Sequence, residues 1–412
     1  MMLSAEEARN IILSNTKEFR TEAVSLLEAH DRVLAADIYS RDDIPPFKNS
    51  SMDGFAVRSI DTVGAAKGKP IELVLQDEVA AGDPSGLSLS PMHAIRILTG
   101  APLPDGADTV VPLERVEERS GAVILSGPIA PAQWTREKGE DIGKGDLVLK
   151  RGILINAAHL GVLASIGCST VDVFRKPAMA ILTTGNELLT VGEELRDGKI
   201  RNSNAYSIHA LAKESNCVPI DLGVARDNEE ELSQKVHEGL NYDLFVTSGG
   251  ISAGKYDYVL DSMKKAGVNL KFRKVNIKPG MPLAFGTFEK NGRDVLIFCL
   301  PGNPVSSVVT FLEYVGPCIE KMMSRGAGAP SARLKATLEE TLSKRDGKRH
   351  YHRGIVQSRE GRLFVQSTGS QSSGVLTSLV KANCLIILNE HQSTFEVGEE
   401  VEIELLPWGN IL

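Results

Sequence analysis

From residue 177 onward, short apolar runs alternate with amphipathic stretches, and this alternation constrains the fold more than any other feature of the chain. The runs AMAILT (178–183), PIDLGVA (219–225) and DLFVTS (243–248) have the length and composition of buried strands, and helical patterns follow them. Strands that alternate with helices form βαβ crossovers, in which the strands are parallel and helices cover both faces of the sheet. The sequence therefore predicts an α/β domain at residues 173–326.

Two further patterns extend this domain. The segment FGTFEKNGRDVLIF (285–298) carries Asn291 and Gly292, a pair that favours a type I′ turn between antiparallel strands. A helical pattern then runs from Val305 to Met323. We therefore expect a mostly parallel sheet with one antiparallel hairpin, closed by this helix.

The chain before this domain combines helical and strand-like patterns. Over residues 4–36, apolar residues recur at roughly helical spacing, first at Ala8, Ile11 and Ile12 and again at Leu26 and Leu27. Ser4 with Glu7 forms a potential capping box. Short strand-like runs, punctuated by Gly, Pro and Asp, follow within residues 70–127. These patterns predict helices at the start of the chain and then a small β module.

A linker of small residues, RGAGAP (325–330), follows the α/β domain. Beyond it, the runs LFVQS, CLIILN and VEIELL alternate apolar and polar residues, which predicts a separate β domain. The predicted fold class is therefore multidomain α/β plus β. We divide the chain into an N-terminal linker domain (1–51 and 143–172), an inserted β module (52–142), the α/β domain (173–326) and a C-terminal β domain (327–412).

Length and composition narrow the function classes. The 412 residues fit two to four domains, and a formal net charge of -7 argues against bulk nucleic-acid binding, which needs many Lys and Arg residues. The five cysteines are scattered without a CxxC pair, so we expect neither disulfides nor thiolate metal sites. Because no secretory signal and no membrane span are visible, we expect a cytoplasmic protein. An anionic ligand must then be held by a local pocket.

The ends of the predicted parallel strands are rich in glycine and polar residues. Open parallel sheets bind ligands at the carboxyl ends of their strands. TSGG (247–250) follows a strand there, and its glycines allow backbone N–H groups to approach an anion or a flat ring system. It lacks the GxGxxG and GxxxxGK[ST] spacings, and a glycine turn needed only for packing explains it equally well. LPGNP (300–304) follows another strand of the same sheet.

Three carboxylates, those of Glu187, Asp227 and Asp257, each follow a predicted strand of this sheet. Oxygen ligands of this kind suit Mg²⁺ bridged to a phosphate, because Mg²⁺ keeps several waters and takes few protein ligands. The alternative is helix capping, since acidic residues are favoured in first turns. For Asp227 alone, which precedes NEEEL, capping is the preferred interpretation.

Two lysines, Lys274 and Lys278, lie four residues apart at the end of a strand-like segment. Residues four apart in an extended chain share a face, so both ammonium groups are able to point into one pocket and bind a tetrahedral dianion. Strand-end lysines more commonly face water, which is the alternative here. The basic segment KRDGKRHYHR (344–353) either guides an anionic substrate or, for most of its length, is a solvated loop.

Seven segments, spread in order over nearly the whole chain, form a specific set. They are SSMDGFAV (50–57), RILTGAPLPDGADTVVPLE (96–114), GEDI (139–142), TTGNEL (183–188), TSGGISAGKYD (247–257), KPGMP (278–282) and LPGNPVS (300–306). Together they resemble the molybdopterin molybdenumtransferase family, to which the gephyrin E domain also belongs.

The resemblance implies a reaction and an assembly. It implies insertion of molybdenum from molybdate into adenylylated molybdopterin, with release of AMP and assistance from Mg²⁺, as the last step of molybdenum cofactor biosynthesis. It also implies a homodimer of four-domain subunits whose α/β domain resembles molybdopterin adenylyltransferase, the expected upstream partner. Two alternatives stay open: a molybdopterin adenylyltransferase, or a gephyrin-like scaffold.

The resemblance also assigns site residues. Catalytic roles fall on Asp53, Thr99, Glu187, Asp257, Lys274 and Lys278, with Glu187, Asp227 and Asp257 as metal ligands. Substrate-binding roles fall on Arg136, Asp141, Ser248, Gly249, Gly250, Pro301, Pro304, Arg353 and Ser373. Two positions depart from the family pattern: Asn186 stands where many members have Asp, and Met281 stands where some have Lys. The second departure removes a candidate anion contact.

Overall fold

The structure, a computed structural model, describes residues 2–83, 86–226, 228–250, 258–325 and 333–411. Its helices are α1 (Ala5–Ser14), α2 (Ala157–Ser165), α3 (Asn204–Glu214), α4 (Glu229–Gly239), α5 (Tyr258–Lys265), α6 (Pro304–Thr310), α7 (Gly316–Met322) and α8 (Thr377–Lys381). Within the described residues, no helix has both the length and the apolar composition needed to cross a membrane.

The N-terminal part of the chain begins with α1, whose capping box is confirmed. Ser4 Oγ accepts from the backbone N–H of Glu7, and the Glu7 carboxylate accepts from the Ser4 N–H. The second helix expected near Leu26 is wrong. The chain instead forms a strand followed by a single 3-10 turn at Leu26–Ala29, and Leu27 is 89% exposed, so its spacing does not mark a buried face.

The described strands up to residue 174 form three two-stranded pairs and one six-stranded inserted sheet. They are β1 (Thr21–Ser25), β2 (Ile38–Tyr39), β3 (Asn49–Ser50), β4 (Gly54–Val57), β5 (Ile71–Val79), β6 (His93–Ile97), β7 (Thr109–Pro112), β8 (Val116–Arg119), β9 (Ala122–Leu125), β10 (Thr135–Arg136), β11 (Leu147–Leu149) and β12 (Thr170–Phe174). β1 pairs with β12, β3 with β10 and β2 with β11, whereas β4 to β9 form a six-stranded sheet of order β7-β4-β6-β5-β9-β8. The strand-like runs predicted here are confirmed as strands.

The central part contains the expected α/β sheet. The strands of this part are β13 (Ala178–Thr184), β14 (Leu188–Leu189), β15 (Ile200–Arg201), β16 (Val218–Ala225), β17 (Leu244–Ser248), β18 (Asn269–Phe272), β19 (Ile277–Lys278), β20 (Ala284–Lys290) and β21 (Arg293–Leu300). β14 and β15 pair with each other outside the main sheet. The main sheet has the order β16-β13-β17-β21-β20-β18, and the first four strands are parallel.

Both faces of this sheet are buried, as a sheet covered by helices on both sides requires. Ile181 and Phe298 contribute to one apolar cluster, while Leu182 and Ile297 contribute to the other. β20 and β21 form the predicted hairpin, and Asn291 has the positive φ of 53° that a type I′ turn requires. The α/β fold class is therefore confirmed.

The long closing helix predicted for residues 305–323 is interrupted. A π-helical turn, Phe311–Val315, separates α6 from α7. The apolar pattern nevertheless continues through the turn, since Phe311 and Val315 are fully buried. The pattern predicted burial correctly but not the change in helical pitch.

The C-terminal part forms a third six-stranded sheet. The strands of this part are β22 (Leu334–Leu338), β23 (Leu342–Ser343), β24 (Arg349–Arg359), β25 (Arg362–Ser367), β26 (Cys384–Leu388), β27 (Thr394–Phe395) and β28 (Glu400–Leu405). β23 and β27 pair with each other outside the six-stranded sheet. The two-residue strand β19 joins this sheet by pairing in parallel with β24, which places Lys278 opposite His350. The KPGMP segment is thereby attached to the C-terminal sheet.

Candidate active site

A cavity of about 460 Å³ lies at the carboxyl ends of β13, β17 and β21, where a parallel sheet is expected to bind ligands. We call it the strand-end cavity. Its lining includes Thr183, Thr184, Glu187, Asn202, Asn204, Ser248, Gly249, Gly250, Pro282, Pro301, Gly302, Asn303 and Pro304. Six of the sequence-predicted site residues are therefore brought together here: Glu187, Ser248, Gly249, Gly250, Pro301 and Pro304.

The two glycines after β17 are required by close packing. A Cβ on Gly249 would lie 2.4 Å from the Thr184 carbonyl oxygen, and one on Gly250 would lie 2.3 Å from Val259 Cγ2. Both residues also have positive φ, which glycine adopts without strain. The Gly249 N–H donates to the Leu300 carbonyl, so it is not available to bind a ligand. Close packing is therefore enough to explain the glycine at this position.

Two asparagines that sequence reasoning missed organise this cavity. Asn204 Nδ2 donates to Ser248 Oγ (2.9 Å) and to the Gly302 carbonyl (2.7 Å), which joins two of the strand-end loops. Asn202 Nδ2 donates to Thr183 Oγ1 at 2.8 Å. The signal was the NSN tripeptide (202–204) directly at the start of α3, since Asn and Ser are typical of helix N-termini.

Glu187 contributes a carboxylate to the strand-end cavity, and it forms no ion pair with the described residues. Asp227 and Asp257, the other predicted metal ligands, lie outside the described residues. Among those that are described, no three His, Cys, Asp or Glu side chains gather as a metal site. The capping interpretation of Asp227 therefore also falls outside the described residues, and the described N-cap of α4 is Asn228, whose Oδ1 accepts from the Glu231 N–H.

A second, larger cavity of about 680 Å³ lies where β19 meets β24 and the loop before it. We call it the cationic cavity. Its lining includes Lys278, Pro279, Ser343, Lys344, Arg345, Asp346, His350, His352, Arg353, Gln371 and Ser372. Four of these side chains are cationic and one is a carboxylate. Of the sequence-predicted residues, Lys278 and Arg353 meet here.

Arg353 is the most unusual residue of this cavity, because its guanidinium is completely buried. It donates to Ser378 Oγ through Nε and to the Ser372 carbonyl through Nη2, whereas Nη1 has no hydrogen-bond partner in the described part of the chain. Burial lowers the pKa of Arg353 to about 10. A buried cation with an unsatisfied donor is the arrangement expected where an anion binds.

A hydrogen-bonded chain of three side chains forms another wall. The Asp346 carboxylate lies 2.7 Å from His350 Nε2, and His350 Nδ1 lies 3.2 Å from His352 Nε2. Burial alone would raise the pKa of Asp346, but the bond and charge of His350 lower it to about 2. Lys278 Nζ also contacts Asp346, at 3.5 Å.

The basic segment 344–353 is therefore not simply a solvated loop. Lys344 is only 5% exposed, and burial lowers the pKa of its amine. Lys274, by contrast, is exposed and is not among the residues that line the cationic cavity. Lys348 Nζ lies 3.5 Å from Met281 Sδ, so a lysine in the loop before β24 places its charge beside the position where Met replaces Lys.

The two cavities are neighbours. The segment 278–282 contributes Lys278 and Pro279 to the cationic cavity and Pro282 to the strand-end cavity. On the other side, the Ser373 carbonyl accepts from the Val305 N–H at the start of α6, which fixes the loop that carries Ser372. A ligand in one cavity is thus close to the other.

The predicted residues of the inserted module lie elsewhere. Asp53 Oδ1 accepts from both the backbone N–H and the hydroxyl of Thr99, at 2.7 Å each, and these bonds lower the pKa of Asp53. Arg136 lies opposite Asn49 in a two-residue pairing. The Asp141 N–H donates to a backbone carbonyl. Within the described residues, none of Asp53, Thr99, Arg136 and Asp141 lines either cavity.

Family models match most of the chain in three consecutive pieces. Residues 3–167 match the MoeA N-terminal region (domain I and II), residues 180–321 match a probable molybdopterin binding domain, and residues 335–406 match the MoeA C-terminal region (domain IV).

Whole-chain relatives agree with these matches. A molybdopterin molybdenumtransferase of Haemophilus influenzae is 36% identical over the full length of both chains, and one of Bacillus subtilis is 34% identical over 98% of this chain and 94% of its own. The crystal structure of a molybdopterin biosynthesis MoeA protein from Pyrococcus horikoshii superposes with a TM-score of 0.83 at 30% identity, covering 98% of this chain and 100% of its own. A Pyrococcus furiosus molybdenum cofactor biosynthesis protein (TM-score 0.59, 22% identity, 98% and 100% covered) shares the fold.

Proposed function

The chain belongs to the molybdopterin molybdenumtransferase family, and from that membership we propose that it inserts molybdenum from molybdate into adenylylated molybdopterin with release of AMP. The observation that carries this proposal is the buried, incompletely paired guanidinium of Arg353 in a cationic cavity that adjoins the strand-end cavity. The reaction joins an inorganic dianion to an organic phosphoanhydride, so two adjacent sites of different chemistry are what it requires.

The strand-end cavity suits the organic substrate. Its volume of about 460 Å³ lies within the usual range for small-molecule sites. Asparagine amides, threonine hydroxyls and the Ser248 hydroxyl provide directional contacts for a pterin, and the N-terminus of α3 favours a phosphate because of its orphan N–H groups. The buried Thr184 Oγ1 has no partner in the described residues and is one such contact.

The cationic cavity suits molybdate. Lys278, Lys344, Arg345 and Arg353 supply four positive charges around it, and Asp346 offsets one of them. Opposite charges interact strongly where water is partly excluded, which is the environment that the burial of Lys344 and Arg353 provides. The soft ligands of the inserted metal would be the dithiolene sulfurs of the pterin, since the protein's cysteines lie outside both cavities.

Mg²⁺ is part of this proposal. Glu187 fits it, because its carboxylate lines the strand-end cavity without an ion-pair partner in the described chain, and we propose Asp227 and Asp257 as the further ligands. When bound, the ion would neutralise charge that develops on phosphate oxygens. The protein's own residues then bind the two substrates, orient them toward the shared 278–282 segment and exclude water.

We propose a homodimer, because the site residues of the inserted module line neither cavity of their own chain. In a two-fold dimer, the Asp53–Thr99 pair of one subunit is able to complete the strand-end cavity of its partner. Arg136, Asp141 and Ser373 keep their proposed substrate-binding roles in that assembly, and Lys274 keeps its proposed catalytic role. We further propose a cytoplasmic reaction in which molybdopterin adenylyltransferase supplies the substrate.

The proposal is tested by measuring AMP release from adenylylated molybdopterin with and without molybdate. We expect release that depends on molybdate and Mg²⁺, together with molybdenum bound to the pterin product. A protein that instead forms adenylylated molybdopterin from ATP and molybdopterin is an adenylyltransferase. Absence of any turnover would favour the scaffold alternative.

A further inference from the structure

We propose that binding of an oxyanion in the cationic cavity is coupled to uptake of one proton by Nδ1 of His352. Taking molybdate as that oxyanion rests on the proposed function. The coupling itself follows from the direction of the Asp346–His350–His352 chain and from the unsatisfied donor of Arg353 in the same cavity.

The direction of the chain is fixed at its Asp346 end. An ionised carboxylate only accepts hydrogen bonds, so His350 Nε2 carries the hydrogen that it donates to Asp346. A neutral His350 then has a lone pair on Nδ1, which accepts from His352 Nε2. By the same logic, a neutral His352 has a lone pair on Nδ1.

That lone pair is buried and has no partner. His352 Nδ1 makes no hydrogen bond within the described residues, although the side chain lines the cationic cavity. Arg353 Nη1, on the adjacent residue, is also buried and unpaired. An oxyanion that accepts from Arg353 therefore shares the cavity with an imidazole whose Nδ1 is an acceptor rather than a donor.

Proton uptake resolves this mismatch. A proton on Nδ1 turns the acceptor into a charged donor, and charge-assisted hydrogen bonds to an oxyanion are the stronger kind. The chain stays intact, because His352 Nε2 still donates to His350 and His350 still donates to Asp346. The bound dianion thus gains a second charged donor beside Arg353.

The charged groups around His352 explain why the proton is absent before the anion binds. Arg353 on its own strand and Lys278 on β19 oppose a further positive charge, as does His350 in its protonated form, whereas Asp346 alone favours it. Lys344 and Arg345 add positive charge from the loop before β24, and the paired residues on β26 are apolar. Burial, followed by the charges of His350, Arg353 and Lys278, lowers the pKa of His352 to about 3. A dianion bound in the cavity adds negative charge beside His352 and so raises the pKa of its imidazole.

The test is isothermal titration of the full-length protein with molybdate at about pH 6, in several sulfate- and phosphate-free buffers of different ionisation enthalpy. The slope of observed enthalpy against buffer ionisation enthalpy gives the protons taken up. We expect about one proton for the parent protein, and an affinity that falls by up to about tenfold per pH unit above pH 6 until the pKa of the complex is reached.

His352→Gln should bind molybdate with uptake near zero and little pH dependence, because the amide donates without taking a proton. His237→Gln, at an exposed histidine on α4, is the matched control and should behave as the parent protein. Unchanged uptake in His352→Gln would overturn the assignment, since the proton would then belong to the oxyanion or to another residue.

Asp346→Asn provides a second test that leaves His352 in place. An amide both donates and accepts, so it no longer fixes the tautomer of His350, and the substitution also removes the negative charge that favours a proton on His352. We therefore expect molybdate binding to persist with a smaller proton uptake than in the parent protein. Full uptake in this variant would contradict the proposal.

Binding and turnover separate this inference from the proposed function. One proton taken up by the parent protein, without AMP release, would refute the transferase function and leave the coupling standing. AMP release with no proton uptake would support the transferase function and refute the coupling. Failure of the parent protein to bind molybdate at all would overturn the coupling.

Discussion

Arg353 shows how one side chain defines the character of a site. Removing a guanidinium from water costs free energy unless partners offset the loss, and Arg353 has hydroxyl and carbonyl partners but no carboxylate among the described residues. A carboxylate there would satisfy the cation and also occupy the place of a ligand. The partial pairing keeps the charge available for an oxyanion that enters the cavity.

Lys278→Ala should raise the molybdate concentration for half-maximal AMP release by about three- to tenfold, because the lost charge faces the dianion from a side chain that is still largely exposed. The maximal rate should change less. Lys271→Ala is the matched control, since that exposed lysine on β18 does not line the cavity. Equal effects of the two substitutions would show that the loss of net charge, rather than the position of Lys278, raises the molybdate concentration that is needed.

The sequence predicted the site residues that follow parallel strands, because strand ends meet at one edge of a sheet. Glu187, Ser248 and Gly250 are examples. It did not predict His350 or His352 as cavity residues, because their position depends on β19 pairing with β24, across about 70 residues and two sheets. A two-residue strand has no periodicity from which such a pairing can be derived.

At the scale of elements, the π-helical turn between α6 and α7 buries an acidic residue. Glu313 is 3% exposed, and its Oε1 has no hydrogen-bond partner in the described residues. Burial, followed by the nearby charge of Glu404, raises the pKa of Glu313 to about 8. The folded protein therefore keeps a proton that the unfolded chain releases above its ordinary pKa.

Glu313→Gln should stabilise the protein more at about pH 8 than at about pH 5, by about 1 to 3 kcal/mol at the higher pH. The raised pKa means that the stability contributed by this group is complete below the ordinary pKa of 4.5 and is lost as pH rises toward 8. Thermal unfolding followed at both pH values measures the difference. A gain that is the same at both would show that Glu313 does not titrate in this range.

The turn after β17 should tolerate no side chain at Gly250. Gly250→Ala brings a Cβ to within 2.6 Å of Thr184 Oγ1 at a positive φ, so we expect a lower unfolding temperature and at least a tenfold loss of AMP release. Gly192→Ala is the control, because a Cβ there meets no atom within 4 Å. Near-parental activity of Gly250→Ala would show that the turn shifts freely.

Periodicity predicted the elements well where a segment is buried on one or both faces. β13, β17 and the β20–β21 hairpin match the expected strands. Periodicity was wrong near Leu26, because an exposed turn there has helical spacing by chance. It also missed the π-helical turn, because the residues of that turn stay buried although the helical pitch changes.

At the scale of the whole molecule, the proposed site residues are divided between two regions. Asp53 and Thr99 are bonded to each other on the inserted module, whereas Glu187 lines the strand-end cavity. We propose that a second subunit brings the two sets together. A two-fold symmetric dimer would then contain two composite sites, each built from both subunits.

Mixing inactive Asp53→Ala subunits with inactive Glu187→Gln subunits should restore activity. A heterodimer then has one site with both defects and one with neither, so a random equal mixture should recover about a quarter of parental AMP release. Native mass spectrometry verifies that subunits have exchanged. Exchange without recovery would mean that each site is built from a single chain.

The pairing of β19 with β24 has a consequence for how such a catalyst is assembled from parts. The strand-end cavity belongs to the α/β unit alone, but the cationic cavity takes Lys278 from that unit and Lys344 and Arg353 from the C-terminal sheet. A chain that stops before residue 333 would keep every lining residue of the strand-end cavity and lose most of those that line the cationic cavity. Removal of the C-terminal β unit should therefore abolish the proposed oxyanion site while the residues that line the strand-end cavity stay in place.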